Sequence, residues 1–444
     1  MKTMEMNAPD QTMVNASKTV KLGFIERQIK QIMEGGFPVL NQKICAILSK
    51  FFLVIIALPF VVVLRILRPF ITVRLLGLDI SRIGGMYKAD WYLSERYAGR
   101  HGKPYFDIFY FRITGNTISN QQWMTMWKRA LCIFPYGKLT DMVNKISKML
   151  PGHKTHIIPT SYFLPSARIA DKENLKCVLN CRKSHIAFTE EEESRGREEL
   201  ARELGIPEEK SFICFHARDA AFLNTVFPKQ AWDYHDYRDS SIHNYIPAVE
   251  ELVRRGSFAV RMGSIVKERL NTAHSAIIDY ACNGKRSDFL DIYLGAKCRF
   301  FIGSDVGIVI VPEVFRRPVV YTNWTPLNRI SPWVLDGLFI CKKFYLHREK
   351  RLLSFREMIN SPLAEIGTTE KFRDEGIELI ESAPEEIMAA AIEMDERLKG
   401  AWESTQEDEE LQQCFWALLG PHKIKSSGVR IGAEFLRQNR ELLK

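Results

Sequence analysis

The hydrophobic pattern changes period along the chain, and each change predicts an element. Residues 44–64, ICAILSKFFLVIIALPFVVVL, are apolar throughout except for Ser49, Lys50 and Pro59. As a helix such a run measures roughly 31 Å, about one hydrocarbon core. Upstream, KTVKLGFIERQIKQIM (18–33) sets Leu22, Ile25, Ile29, Ile32 and Met33 along one helical stripe, with Lys18, Lys21, Arg27 and Lys30 off it. That is the pattern of an interfacial helix. Pro59 bends a helix and removes a hydrogen bond, so a spanning segment and a re-entrant or monotopic insertion both stay open, with a buried core helix as the third reading. The run starts too far along for a cleaved signal peptide. Arg65, Arg68, Arg74 and Arg82 follow it. If the segment spans, that flank places the C-terminal bulk in the cytoplasm.

Beyond it, strand-like runs at 70–79, 105–111, 129–135 and 155–159 alternate with helical stretches, predicting a first α/β unit. TEEEESRGREELARELGIP (189–207) predicts a helix capped by Thr189, with Glu190 to Glu193 at its positive end and Gly205 stopping it before Pro207. Strands at 211–216, 257–263, 276–281, 299–303 and 318–323 then alternate with helices at 241–256, 287–298 and 307–317. Short apolar strands separated by such helices indicate a parallel sheet covered on both faces. The expected fold class is therefore α/β, with two Rossmann-like doubly wound domains behind a membrane-associated helical segment. The expected boundaries are a tail with an amphipathic helix (1–43), the membrane-associated segment (44–68), a first domain (69–188), a second domain (189–425) and a C-terminal helix (426–444) packing back across both.

Charge sharpens the N-terminal part. The 444 residues carry a net charge of +9, and residues 1–100 hold 14 Lys or Arg against 7 Asp or Glu. So local an excess fits a basic surface at a membrane rather than nucleic-acid binding, for which no strand, finger or heptad signature is present. The 9 cysteines form no regular framework and sit mostly in apolar runs, as expected of a reducing compartment. Cys177, Cys181 and His185 would share a helix face but lack a fourth ligand nearby, so ordinary packing is the preferred reading and no metal is expected.

Candidate chemistry collects where strands end. FICFHARDAAFL (212–223) opens as a buried strand and delivers His216, Arg218 and Asp219 at its end, where doubly wound folds bind ligands. Arg218 offers a planar fork suited to a diphosphate; a salt bridge to Asp219 is the plainer reading. His216 is either a donor to a phosphate or sugar oxygen or a packed strand-end histidine. FFIGSDVGIVIVPEVFRRPVVYTNW (300–324) ends a strand in Gly303-Ser304-Asp305, opens a helix at Gly307 and carries Glu313. A helix start of this kind suits phosphate, and a carboxylate such as Glu313 suits a ribose diol. Arg261 ends another strand and is expected on the same crevice. DYHDYRDSSIHNY (233–245) is polar and long for a connector, which makes Asp236, Arg238 and Asp239 candidates in a loop over the crevice. No Asp-x-Asp pair occurs, so a metal-independent site is expected.

CFHARD, YRDSSIHNYIPAVEELVRRGSFAVRMGS, SDFLDIYLGAKCRFFIGSDVG and PEVFRRPVVYTNW, together with DISRIGG (79–85) and RIGAEFLRQNRELL (430–443), resemble a family of bacterial glycosyltransferases of surface-polysaccharide synthesis. His216 and Arg218 are also similar to the His-x-Arg motif of fucosyltransferases, and Ser304, Asp305, Gly307 and Glu313 to the phosphate and ribose site of nucleotide-sugar 2-epimerases. The resemblance implies a GT-B architecture, a nucleotide-sugar donor as co-substrate with no further cofactor, and a lipid-linked or polysaccharide acceptor. With the basic flank of the apolar segment, the expected location is the cytoplasmic face of the bacterial inner membrane. Arg218 and the 304–307 turn would hold the donor diphosphate, Glu313 the ribose, and Asp219, Asp236 or Asp79 would take the acceptor proton. Val306 stands where the family carries a serine, which removes one donor to phosphate. A nucleotide-sugar epimerase and a non-catalytic scaffold of polysaccharide assembly are the rival readings.

Overall fold

The structure, a computed structural model, describes residues 24–99, 105–113, 117–158, 181–228, 230–304, 307–327, 336–360, 362–418 and 429–444. Two parallel sheets organise it. The first holds β1 (Thr72–Asp79), β2 (Tyr105–Arg112) and β3 (Ile133–Phe134) in that order, with Ile157 bridging to the free side of β1 at Leu75. Alternation along β1 serves two faces. Val73 and Leu75 pack with Tyr110 and Val143 on one side, while Leu76 and Leu78 join Tyr92, Trp123, Met126 and Trp127 on the other. RALCIFP contributes only β3, because Arg129 and Ala130 finish the helix Gln121–Ala130, which buries Trp123, Met126 and Trp127 at helical spacing.

The second sheet begins with β4 (Phe212–His216), β5 (Phe258–Arg261), β6 (Ile277–Ile278), β7 (Phe301–Gly303), β8 (Val319–Trp324) and β9 (Gly337–Cys341). A small antiparallel flap of β10 (Lys343–Leu346), β11 (Arg351–Leu352) and β12 (Ile377–Ile380) follows. β13 (Val429–Ile431) then returns to pair with β9. The large sheet runs β13-β9-β8-β7-β4-β5-β6, every pair parallel. Numbered from β4, the first six strands follow the 3-2-1-4-5-6 order of a doubly wound sheet, so the winding reverses between β4 and β7. β8 and β9 are buried at every position, as a two-sided parallel core requires.

Further elements differ from expectation: the strand expected at 155–159 is the 3-10 turn His153–His156 followed by the single bridge at Ile157. The strand at 276–281 shrinks to β6, since Tyr280 leaves the ladder to hydrogen-bond Ser287 and Asp291 through its hydroxyl. The helix at 307–317 is a single 3-10 turn, Gly307–Val309, and a short helix, Ile310–Val314. The closing segment starts as strand β13, and its helix Ala433–Gln438 packs on the second sheet's own helices through Phe435 and Leu436 rather than crossing to the first sheet.

The helix Glu190–Leu204 has a capping box: Thr189 Oγ1 accepts from the Glu192 N–H at 3.2 Å, and Glu192 Oε2 accepts from the Thr189 N–H at 2.9 Å. Gly205 closes it with φ 64°. Thr189→Ala is expected to cost about 1 kcal/mol, read as a lower Tm for the full chain in detergent.

The two sheets share a core and face each other by the C-terminal ends of their strands. Ile292, Val311 and Val314 from the second half pack among the first half's apolar residues. Arg316 binds Asp90 with two hydrogen bonds, 2.9 and 3.1 Å, and Asn120 donates to the Asp288 carbonyl at 2.8 Å. The turn Ile83–Met86, after β1, meets the turn Gly307–Val309, after β7: a Cβ on Gly84 would lie 3.3 Å from the Cα of Gly307.

Among the described residues, one helical stretch, Gln31–Leu67, is long and apolar enough to cross a membrane. It belongs to the helix Phe24–Leu67, which is interrupted at Gly36 (φ 61°, ψ −154°). Its last turns bury Ala57 and Val61 against the first sheet and the helix Gly137–Met149.

Candidate functional site

β4 is apolar to its last residue because both its faces are covered, and polarity returns only where the strand leaves the sheet. His216 is half-buried, and its Nδ1 lies 2.8 Å from the Met262 carbonyl beyond β5. A carbonyl only accepts, so Nδ1 carries the proton and Nε2 is left as an acceptor. Desolvation of the ring lowers its pKa; the Met262 bond and Asp219 oppose that, and Arg261 and Arg218 add to it. His216 therefore suits a hydroxyl better than a phosphate oxygen.

Arg218 is 6% exposed. Its N–H donates to Ser304 Oγ at 3.3 Å, which ties the loop after β4 to the loop after β7 where the winding reverses. Its carbonyl accepts from the Ser240 N–H at 3.0 Å. The guanidinium forms its ion pair with Asp239, not with Asp219. Asp219 instead accepts from the Ala221 N–H at 2.8 Å and the Lys267 N–H at 3.0 Å, one bond on each carboxylate oxygen. It holds the loop that shapes the crevice.

Ser304 is buried beside Arg218. Asp305 and Val306 lie outside the described residues. Gly307 is exposed, and a Cβ there would stand 3.6 Å from Gly84 N and from Ile83 Cγ2, ordinary van der Waals contact, so the tight position at this meeting of the halves is Gly84 rather than Gly307. Glu313, half-buried, accepts a hydrogen bond from the Tyr321 hydroxyl on β8. Arg261 is buried and committed elsewhere: its Nη1 donates to the Glu268 carbonyl at 2.8 Å and lies 3.4 Å from Asp279 Oδ2. It touches the site electrostatically through His216 and does not line the crevice.

On the opposite wall, Asp79 ends β1 and accepts from the Ser81 N–H at 2.9 Å. Arg82 extends from the same turn and places its guanidinium 4.9 Å from the Trp232 ring and 5.6 Å from the Phe227 ring, both on the second half. Asp236 sits exposed on the 3-10 turn Asp233–Arg238. Desolvation raises its pKa; Arg218 opposes this, and Asp233 reinforces it. Of the three carboxylates, Asp219 and Asp79 accept from backbone N–H groups, while Asp236 is exposed with its pKa raised.

The residue missed from the sequence is Lys342, the first after β9. It is 3% exposed, and its Nζ donates to the Asp239 carbonyl at 2.5 Å. Burial pushes its pKa down to about 8, with Glu381 opposing and Arg218 adding to the fall. Asp239 thus holds two cations, Arg218 by its carboxylate and Lys342 by its carbonyl. Glu381 is itself engaged by the Ser241 N–H at 2.9 Å and Asn244 Nδ2 at 3.0 Å. Two cations are thus buried at strand ends, with Asp239 paired to Arg218, Asp236 acting on Arg218 and Glu381 on Lys342, an arrangement that can exchange a carboxylate for another anion. The signal was available in GLFICKK (337–343), an apolar strand ending in lysine on the same logic as Arg218.

The helix face expected for Cys181 and His185 does not form. Cys177 is outside the described residues, and Cys181 and His185 lie on irregular backbone with Sγ and Nε2 3.4 Å apart. No group of three or more metal-ligating side chains is found among the described residues.

No protein-family model matches the chain, and no curated protein matches it. Solved structures are similar over part of it, and two of them are as follows. One is described as a glycosyl transferase family 9 from Veillonella parvula DSM 2008, with 11% identity over 60% of this chain and 85% of that one, at a TM-score of 0.36. The other is an E. coli ADP-heptose LPS heptosyltransferase II, with 11% identity over 60% of this chain and 90% of that one, at a TM-score of 0.33. Likeness this slight carries no functional argument.

Proposed function

We propose that the chain is a membrane-associated glycosyltransferase of the GT-B type, moving a sugar from a nucleoside-diphosphate donor to a lipid-linked or surface-polysaccharide acceptor at the cytoplasmic face of a bacterial inner membrane. The observation that carries this is the placement of Arg218 and Ser304 on the two strand ends that flank the winding reversal, with Lys342, at the end of β9, joined to the same cluster through Asp239. Crevices at such reversals hold nucleotides, and a buried arginine and lysine suit a diphosphate.

In this reading the acceptor hydroxyl oxygen attacks the anomeric carbon as the bond from that carbon to the donor phosphate breaks. The electron pair leaves with the diphosphate, and Arg218 and Lys342 stabilise the charge that develops on it. The acceptor proton passes to Asp236. Glu313 accepts from the ribose hydroxyls, and His216 Nε2 accepts from a sugar hydroxyl. Asp239 occupies the cation pair until the donor arrives. Asp239→Asn keeps a hydrogen-bond acceptor but removes the competing charge, and is expected to tighten nucleoside-diphosphate binding about tenfold, the equivalent of one charge-assisted hydrogen bond. Isothermal titration of the full chain in detergent reads it; weaker binding would show that Asp239 supports the site instead.

A panel of nucleotide sugars, screened by thermal shift on the detergent-solubilised chain, tests the reading. Stabilisation by one donor, with transfer only when an acceptor is added, supports it. Conversion of the donor alone would favour an epimerase, and no stabilisation by any nucleotide sugar would sink it.

A further inference from the structure

We propose that the apolar N-terminal helix enters the bilayer from one side and returns to it, so that the chain's two ends lie on the same face of the membrane. The inference rests on the membrane association proposed above and uses nothing of the catalytic reading.

Three observations carry it. The first is the break at Gly36. Beyond it Lys43 Nζ donates to Gln28 Oε1 at 2.7 Å and to Gln31 Oε1 at 3.0 Å. In an unbroken helix positions 28 and 43 stand about 22 Å apart along the axis, so the chain doubles back and Gln28 and Gln31 lie beside Lys43.

The second is length. The largely exposed apolar stretch ahead of the docked turns runs only from Ile44 to Ile56, with Leu53 and Val54 already half-buried, about 20 Å as helix against roughly 30 Å of hydrocarbon core. From Ala57 the helix is fastened sideways. Ala57, Val61 and Leu64 pack with Leu139, Met142, Val143 and Ile146, and Arg65 Nη2 donates to the Ser147 carbonyl at 3.2 Å. The helix Gly137–Met149 also carries Asp141, Lys145 and Lys148, which cannot be drawn into hydrocarbon without a large desolvation cost. Spanning by residues 44–67 would require that.

The third is what surrounds the docked turns. Their outward side stays apolar at Phe60, Val63 and Ile66, and the exposed apolar residues continue to Phe70, 86% exposed, and Met149, 84% exposed. Arg65 and Arg68 lie next to Gly152, within 3.0 and 3.5 Å of the position a Cβ would take there, and Lys148 and Lys154 are exposed nearby in sequence. An apolar face rimmed by lysine and arginine fits the boundary between acyl chains and anionic headgroups. The occupant of this face is thus an anionic bilayer.

The test uses the full chain in bacterial membranes with a short epitope at either terminus, digested by protease in spheroplasts and in inverted vesicles. Both epitopes are expected to be cut in the same preparation and spared in the other. Epitopes cut in opposite preparations would show a spanning helix, overturning one-sided insertion while leaving membrane association intact. A chain that stays soluble without detergent, or self-associates through this face, would overturn both and leave donor binding untouched as a separate question. Flotation of the purified chain with phosphatidylglycerol vesicles is expected to fall about tenfold in Arg68→Glu/Lys154→Glu; unchanged flotation would overturn the basic rim.

Discussion

Arg218→Ala is expected to lower kcat/KM for the nucleotide-sugar donor by about 10²- to 10³-fold, the usual loss when one charge-stabilising donor is removed from a preorganised site. Two features make the effect large. The guanidinium is buried, so its field on a departing diphosphate is weakly screened, and its backbone is pinned to Ser304 and Ser240. Arg218→Lys retains charge but loses the planar fork, and is expected to recover part of the donor affinity and little of kcat. Because the substitution leaves Asp239 without its partner, thermal unfolding of each variant must accompany the kinetics. A folded Arg218→Ala with unchanged donor affinity would remove the residue from the site.

Lys342 gives the second large effect, together with a pH signature. Lys342→Met is expected to weaken donor kcat/KM by about 30- to 100-fold, the loss of one charged hydrogen-bond partner. The sign of the pH dependence follows from its pKa. Lys342 is cationic below about 8 and neutral above it, and only the cation attracts diphosphate. In the wild type, kcat/KM for the donor should therefore fall as pH rises through about 8, with the limb displaced upward once donor is bound because the diphosphate stabilises the charge. Lys342→Arg keeps its charge throughout this range, and that limb should vanish. A limb that survives in Lys342→Arg would belong to another group.

Much of the second sheet was legible because a strand buried on both faces is a continuous apolar run, and its helices stop at glycine or at a cap. β4, β8 and the helix Asp288–Lys297 fall close to their expected places for that reason. What escaped depended on tertiary partners. Residues 129–130 have strand-like neighbours but are claimed by the tryptophan stripe of the preceding helix. The terminal RIGAEFLRQNRELL pattern gives no sign that Val429–Ile431 will be recruited as an edge strand by β9. At the site, strand-end reasoning found Arg218 and Ser304, and the structure brings their backbone and hydroxyl together. The same reasoning could not pick Asp239 over Asp219 as the arginine's partner, since that choice is made by a loop folding back over the sheet. Arg261 shows the converse: a strand-end arginine whose charge is consumed by Asp279 and a carbonyl.

The most direct test of the central claim is a crystal structure of the full chain with a bound nucleoside diphosphate. The expected result places the diphosphate between the Arg218 guanidinium and Lys342 Nζ, within reach of Ser304, with the Asp239 carboxylate displaced. A nucleotide bound away from the β4–β7 reversal, with the Arg218–Asp239 pair intact, would contradict it.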